Sequence, residues 1–147
     1  MKKTLKIIVL AALVAGISVN AQARNVANNV PIDAALHSKD ADTKVDPSIK
    51  LYFADQAHPK VLETYGSGVA NEKTNMFDKT DLSACNWVFL SSIISLQTQA
   101  RERGANAVIN IVSYYKKNTM SSSTLFECHN GFYATGVALK GDFVKVK

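Results

Sequence analysis

Four kinds of hydrophobic patterning divide the chain, and each predicts a different element. A mostly apolar run over residues 7–19 stands behind Lys2, Lys3 and Lys6 and gives way to Asn20-Ala21-Gln22-Ala23-Arg24. Residues 24–48 then carry few large apolar side chains among Asn, Asp, Ala and Lys, with Pro31 and Pro47. Such a stretch buries too little surface to offset its ordering entropy, so it is expected to be a mobile N-terminal segment. The alternative is a short ordered arm gripped through Val26, Val30, Ile32 and Leu36.

From residue 49 the pattern becomes periodic. Residues 49–53 (IKLYF) alternate and are rich in β-formers, which predicts a short strand ending before the His58-Pro59 break. Residues 60–69 alternate around Val61, Glu63 and Tyr65 and close on Gly66-Ser67-Gly68, the mark of a strand with a bulge or bend. Residues 70–83 are polar and read as a connection. Residues 87–103 carry the helix signal, with Phe89, Ile93, Leu96 and Ala100 at i, i+4, i+7 and i+11 and Leu90 and Ile94 widening that face. Gln97, Gln99, Arg101, Glu102 and Arg103 fall on the wetter side and last turn, and Gly104 stands where a left-handed terminating residue is wanted. Residues 105–115 form an apolar, β-branched and aromatic run typical of a buried strand, and residues 116–124 a polar connection. Residues 125–140 are β-rich again. Asn130-Gly131 inside them is either a tight hairpin turn or a bulge in one long strand, and the bulge is favoured because each flank alone is short.

These elements predict an α+β fold: a small antiparallel sheet in the order β-β-α-β-β, with one amphipathic helix packed on it. The predicted domain spans residues 49–147.

The N-terminus changes the reading of compartment and charge. A charged start, an apolar run too short for the roughly 20 residues of a membrane span, and small residues at Ala21 and Ala23 match a cleavable signal peptide over residues 1–23. Cleavage is expected between Ala23 and Arg24. The first cysteine is Cys85, so lipoprotein processing has no acceptor. The expected product is periplasmic or secreted and has no stable membrane anchor after cleavage. Of the 17 basic residues three leave with the leader while all 12 acidic ones stay, so the net charge of +5 falls to +2. The basic balance therefore gives no support to a nucleic-acid partner.

In an oxidising compartment the two cysteines, Cys85 before the helix and Cys128 in the last strand, are expected to form a disulfide. A redox pair is one rival, though no Cys-x-x-Cys spacing supports it. A metal site using His129 is the other; adjacent strand residues point to opposite faces, so it requires a distorted strand.

The remaining chemistry is sparse. His37, His58 and His129 lack metalloprotease spacing, and Gly66-Ser67-Gly68 is neither a nucleophile elbow nor a phosphate loop. The neighbours Asp40/Asp42 and Asp78/Asp81 lie in polar segments. Tyr114-Tyr115-Lys116-Lys117 reads as a strand end with a solvated tip. No catalytic set, resident metal or cofactor motif is expected, so the chain is read as non-enzymatic.

The stretch from Cys85 through the helix to Ala100-Arg101-Glu102-Arg103-Gly104-Ala105-Asn106-Ala107-Val108, and the segment from Cys128-His129-Asn130-Gly131 to Leu139, resemble the globular domain of the RcsF-like family, the outer-membrane lipoproteins that sense envelope stress for the Rcs phosphorelay. The Gly104-Ala105-Asn106-Ala107-Val108 element is also similar to small YbjQ-like domains, which carry a heavy-metal-binding label. The resemblance covers about residues 62 to 140. It implies that Cys85 and Cys128 match one of the sensor's two disulfides. The second pair is absent, with Ser113 or its neighbours and Ala134 standing where cysteines would be expected, and the lipid-bearing cysteine and proline-rich tether are missing. The function expected is a periplasmic domain that binds another envelope protein, in an envelope-stress setting; the alternative is a small metal- or ligand-binding periplasmic domain.

Overall fold

The computed structural model describes residues 23–147. The expected leader, up to Gln22, lies outside the described residues. In chain order the elements are β1 (Val26–Pro31), α1 (Ile32–Leu36), α2 (Lys39–Lys44), β2 (Lys50–Phe53), β3 (Val61–Asn75), α3 (Asp81–Glu102), β4 (Ala107–Ser113), β5 (Leu125–Asn130) and β6 (Ala134–Val146), with one 3-10 turn at Tyr115–Lys117. The class is α+β, as expected. The sheet is larger than expected and mixed: it has six strands, β2 runs parallel to β4, and the order is β1-β5-β6-β4-β2 with β3 paired to β6.

β6 is the spine of this arrangement. Along one edge it pairs antiparallel with β3, from Asn75↔Ala134 to Val61↔Val146. Its other edge serves two strands in turn, β5 at Thr135 and Gly136 and β4 from Leu139 to Val144. The expected continuous strand over residues 125–140 is corrected to a hairpin. Gly131 N–H donates to the carbonyl of Ala134 across the turn at 2.9 Å, and β5 turns away to pair with β1, which gives its short length a second partner.

Residues 24–48, expected to be mobile, form β1 and two short helices. The apolar residues there are few but well placed. Val30, Ile32, Ala35 and Ala41 are buried in the core that also holds Phe89, Ile93 and Phe126. The backbone of β1 is satisfied by pairing with β5, from Val26↔Asn130 to Pro31↔Leu125. Ser38 caps α2 by accepting from Ala41 N–H at 3.3 Å.

α3 begins six residues earlier than its apolar periodicity indicates, because Thr80 Oγ1 accepts from Ser83 N–H at 3.1 Å and Asp81 sits in the positive first turn. Phe89, Ile93, Leu96 and Ala100 are fully buried as predicted, with Phe89 stacked 4.1 Å from Phe126. Gln97 is not on the wet side: it is 1% exposed, accepts from Asp46 N–H and donates to the carbonyls of Asp46 and Ile49, all at 2.9 Å. It thereby fastens the β2 approach to α3. The polar stretch 70–75, read as a connection, continues β3. An edge strand with one wet face tolerates such residues when its backbone is paired.

Candidate functional site

Cys85, in the second turn of α3, and Cys128, in β5, form the expected disulfide, with Cα atoms 5.8 Å apart and both residues buried. The bridge fixes which face of β5 meets the helix. Asn130, on the same face, is also buried; its Nδ2 donates to Thr135 Oγ1 (2.9 Å) and its Oδ1 accepts from Asn28 Nδ2 (2.8 Å). Cys85 Sγ lies 3.3 Å from that oxygen, a packing contact, since a disulfide sulfur has no proton to donate.

Because strand side chains alternate, His129 must point to the opposite face from Cys128. Register then builds a row across four strands: Ala27 on β1 faces His129, His129 faces Gly136 on β6, and Gly136 faces Lys73 on β3. The absent side chain at Gly136 leaves a depression between Lys73 and His129. The cleft there measures about 260 Å³ and is lined by Arg24, Asn25, Lys73, Tyr115 and His129 over a floor that includes Ala134 and Gly136.

His129 is held firmly. Its Nε2 lies 2.6 Å from Glu127 Oε1, its Nδ1 lies 3.1 Å from Asn25 Oδ1, and the Tyr115 ring stacks on it at 3.4 Å with 11° between planes. The carboxylate only accepts, so Nε2 donates to it. Lys116 and Lys117 both take left-handed backbone angles, φ 49° and 65°, in the turn that lays Tyr115 over the imidazole. Non-glycine residues in that region cost energy that neighbouring structure must offset. Arg24, the residue after the expected cleavage point, pairs with Asp81 at 2.6 Å, while Ala23 is exposed. The start of the described chain is thus tied to the start of α3.

No protein-family model, curated protein or solved structure matches this chain.

A second feature lies beside the cleft. The turn after β3 and the β5–β6 turn run together, joined by Met76 N–H donating to the carbonyl of Tyr133 at 3.1 Å. Phe77 (79%), Phe132 (66%) and Tyr133 (87%) stand exposed on these turns, with Leu82 (57%) in the first turn of α3. These large aromatics stand on ordered backbone at one end of the domain.

The other candidates are apart. His37 is exposed beside Asp33, and His58 packs edge-on to Tyr52 at 5.7 Å. Among the described residues no group of three or more His, Cys, Asp or Glu is placed to hold a metal, and no helix is long and apolar enough to cross a membrane. The sulfur of Cys128 is committed to the bridge, which removes it from the rival Cys128–His129 metal pairing. Sequence reasoning missed Lys73, Gly136 and Asn25, and it read Tyr115 as part of a solvated tip. The usable signal was the Cys128-His129 alternation: a helix-facing cysteine sends its neighbour outward.

Proposed function

We propose that this protein is a non-enzymatic domain of the bacterial periplasm that docks on another envelope protein through the end carrying Phe77, Leu82, Phe132 and Tyr133. The observation that carries the reading is the exposure of three aromatic rings on two adjoining turns whose backbones are hydrogen-bonded together. Aromatic anchors dominate binding energy at protein interfaces, and they do so most effectively when the backbone presenting them is already ordered, because less entropy is lost on docking. The signal-peptide pattern, the disulfide and the resemblance to an envelope-stress sensor domain support the compartment and the kind of partner.

Photocrosslinking in intact cells tests this. A photoreactive phenylalanine replacing Tyr133 or Phe132 is expected to give one discrete adduct with an envelope protein, identified by mass, whereas the same probe replacing Lys145, at the far end of β6, gives none. The adduct is expected to disappear in a Phe77→Ser background. Absence of any adduct from residues 77, 132 and 133, or adducts to lipid alone, refutes the proposal.

A further inference from the structure

We infer that the outer edge of β3 over residues 71–75 takes an extended segment of the partner as an added β-strand, with neighbouring acidic and basic residues set opposite Lys73 and Glu72. This rests on the docking proposal and names what the partner presents there.

β3 has β6 on one side only, so every second residue turns its N–H and C=O outward. Two sets of hydrogen bonds fix which ones. From α3, Gln99 Nε2 donates to the carbonyl of Val69 and Arg103 Nη1 to that of Ser67, both at 3.2 Å, so odd-numbered residues face outward. Met76 N–H donates to the carbonyl of Tyr133, just before β6, so even-numbered ones face inward. The ladder is unbroken from Ser67↔Asp142 to Asn75↔Ala134, and Asn71, Lys73 and Asn75 therefore turn outward too.

α3 covers one end of this edge and leaves the other bare. Its last turns reach residues 67–69, whereas Ser92, about three turns earlier, donates to the carbonyl of Val137 on β6, the partner of Glu72. The helix has by then crossed inward. Asn71, Lys73 and Asn75 are exposed, and among the described residues no side chain or loop bonds their outward backbone groups. Such a bare edge is a template for another strand, which gains affinity from main-chain hydrogen bonds. A strand laid there runs on, past Asn75, to the turns that carry Phe77, Phe132 and Tyr133.

Charge selects the occupant. Among the described residues neither Lys73 nor Glu72 forms an ion pair, and as strand neighbours they lie on opposite faces. A second copy of this chain fits badly. Two-fold pairing over the whole bare stretch sets Lys73 opposite Lys73, and a shift toward Val69 sets Glu72 opposite Glu72. Like charges directly opposite destabilise a strand pair, and opposite charges stabilise it. A partner segment with an acidic and a basic residue side by side places one on each face, against Lys73 and Glu72. The edge lysine meanwhile discourages chains that lack this match.

Photocrosslinking in intact cells with the full chain tests this. A photoreactive phenylalanine replacing Asn71 or Asn75 is expected to capture the same protein as the probe at Tyr133. Mass spectrometry should map the two adducts to one segment, about four residues apart, because paired strands advance residue for residue. Between them should lie the acidic and basic neighbours. Asn71→Pro removes an outward N–H that β6 does not use, so β3 stays paired. The adduct from residue 75 should fall about three- to tenfold, the scale of one lost backbone hydrogen bond. Lys73→Glu, which leaves the backbone intact, should lower it as well, and lysine in place of the partner's facing acid should restore it. Strand addition is overturned, with docking left standing, by adducts from Tyr133 but none from residues 71 and 75. The same holds for adducts scattered over unconnected segments, for capture of a second copy at the edge, or for a yield unchanged in both variants. Absence of every adduct overturns both proposals.

Discussion

Replacing both Cys85 and Cys128 with alanine should remove a large part of the stability of this domain. The bridge closes a sequence separation of 43 residues, for which the chain-entropy model gives about 4 kcal/mol at 25 °C. Both residues are at most 1% exposed, so deleting the sulfurs also leaves a small void between α3 and β5 worth about 1 kcal/mol. Against a total of about 5–15 kcal/mol for a domain of this kind, a loss of about 5 kcal/mol takes the protein to the edge of folding or leaves it visibly weakened. Urea denaturation followed by Trp87 fluorescence and far-UV circular dichroism measures the difference. The denaturant slope should rise in the double variant, because an uncrosslinked unfolded chain exposes more surface. A kinetic readout is independent of extrapolation. The sulfurs are covered, so dithiothreitol should reduce the native protein only as fast as it opens, and mild urea should accelerate the reaction. A stability loss below about 1 kcal/mol, or two titratable thiols in the native parent protein, would refute the account of the bridge as the fastening between helix and sheet.

Two further perturbations probe the packing and the surface. Gly68→Ala would place a methyl group 2.5 Å from the fully buried Phe143 ring and 2.3 Å from Gln99 Oε1; the ring has no room to retreat, so thermal unfolding should show a destabilisation of about 1–3 kcal/mol. Asp46 is held to a pKa of about 2 by the Ser48 side chain and then by Arg101, below the ordinary 3.8. A lowered folded-state value means the unfolded chain binds protons first, so this contribution to stability is present above about pH 4 and is lost as pH falls toward 2. Asp46→Asn should flatten the acid limb of a stability-against-pH curve in that window and leave the neutral region without a pH slope of this origin; an unchanged acid limb counts against the assignment.

Local signals in the sequence identified elements better than they identified neighbours. The α3 apolar stripe, the terminating role of Gly104 (φ +80°), the short β2 and the Cys85–Cys128 pairing all follow from spacing or compartment and appear in the structure. The start of α3 was hidden because its first turn is polar and depends on the Thr80 cap, which only tertiary context distinguishes from a loop threonine. The ordered arm over residues 24–48 was placed second to a mobile segment for a different reason. Composition averages a segment, whereas Val30, Ile32, Ala35 and Ala41 matter because all four land on the core. The parallel pairing of β2 with β4 and the forked pairing along β6 are long-range facts with no local trace.

The candidate site shows why the rest was out of reach. Its residues, from Arg24 through Lys73 and Tyr115 to Gly136, come from five separate parts of the chain, and each alone reads as an ordinary surface position. What gathers them is β6, whose two edges set Lys73 and His129 against one glycine. The disulfide contributes indirectly: by committing Cys128 to the helix side it commits His129 to the other, where Asn25, Glu127 and Tyr115 hold it. A helix that covered both faces, or a side chain at residue 136, would close the cleft. The arrangement follows from a sheet layered on one side only at this point, a spine strand that pairs twice, and a glycine that the backbone itself does not require.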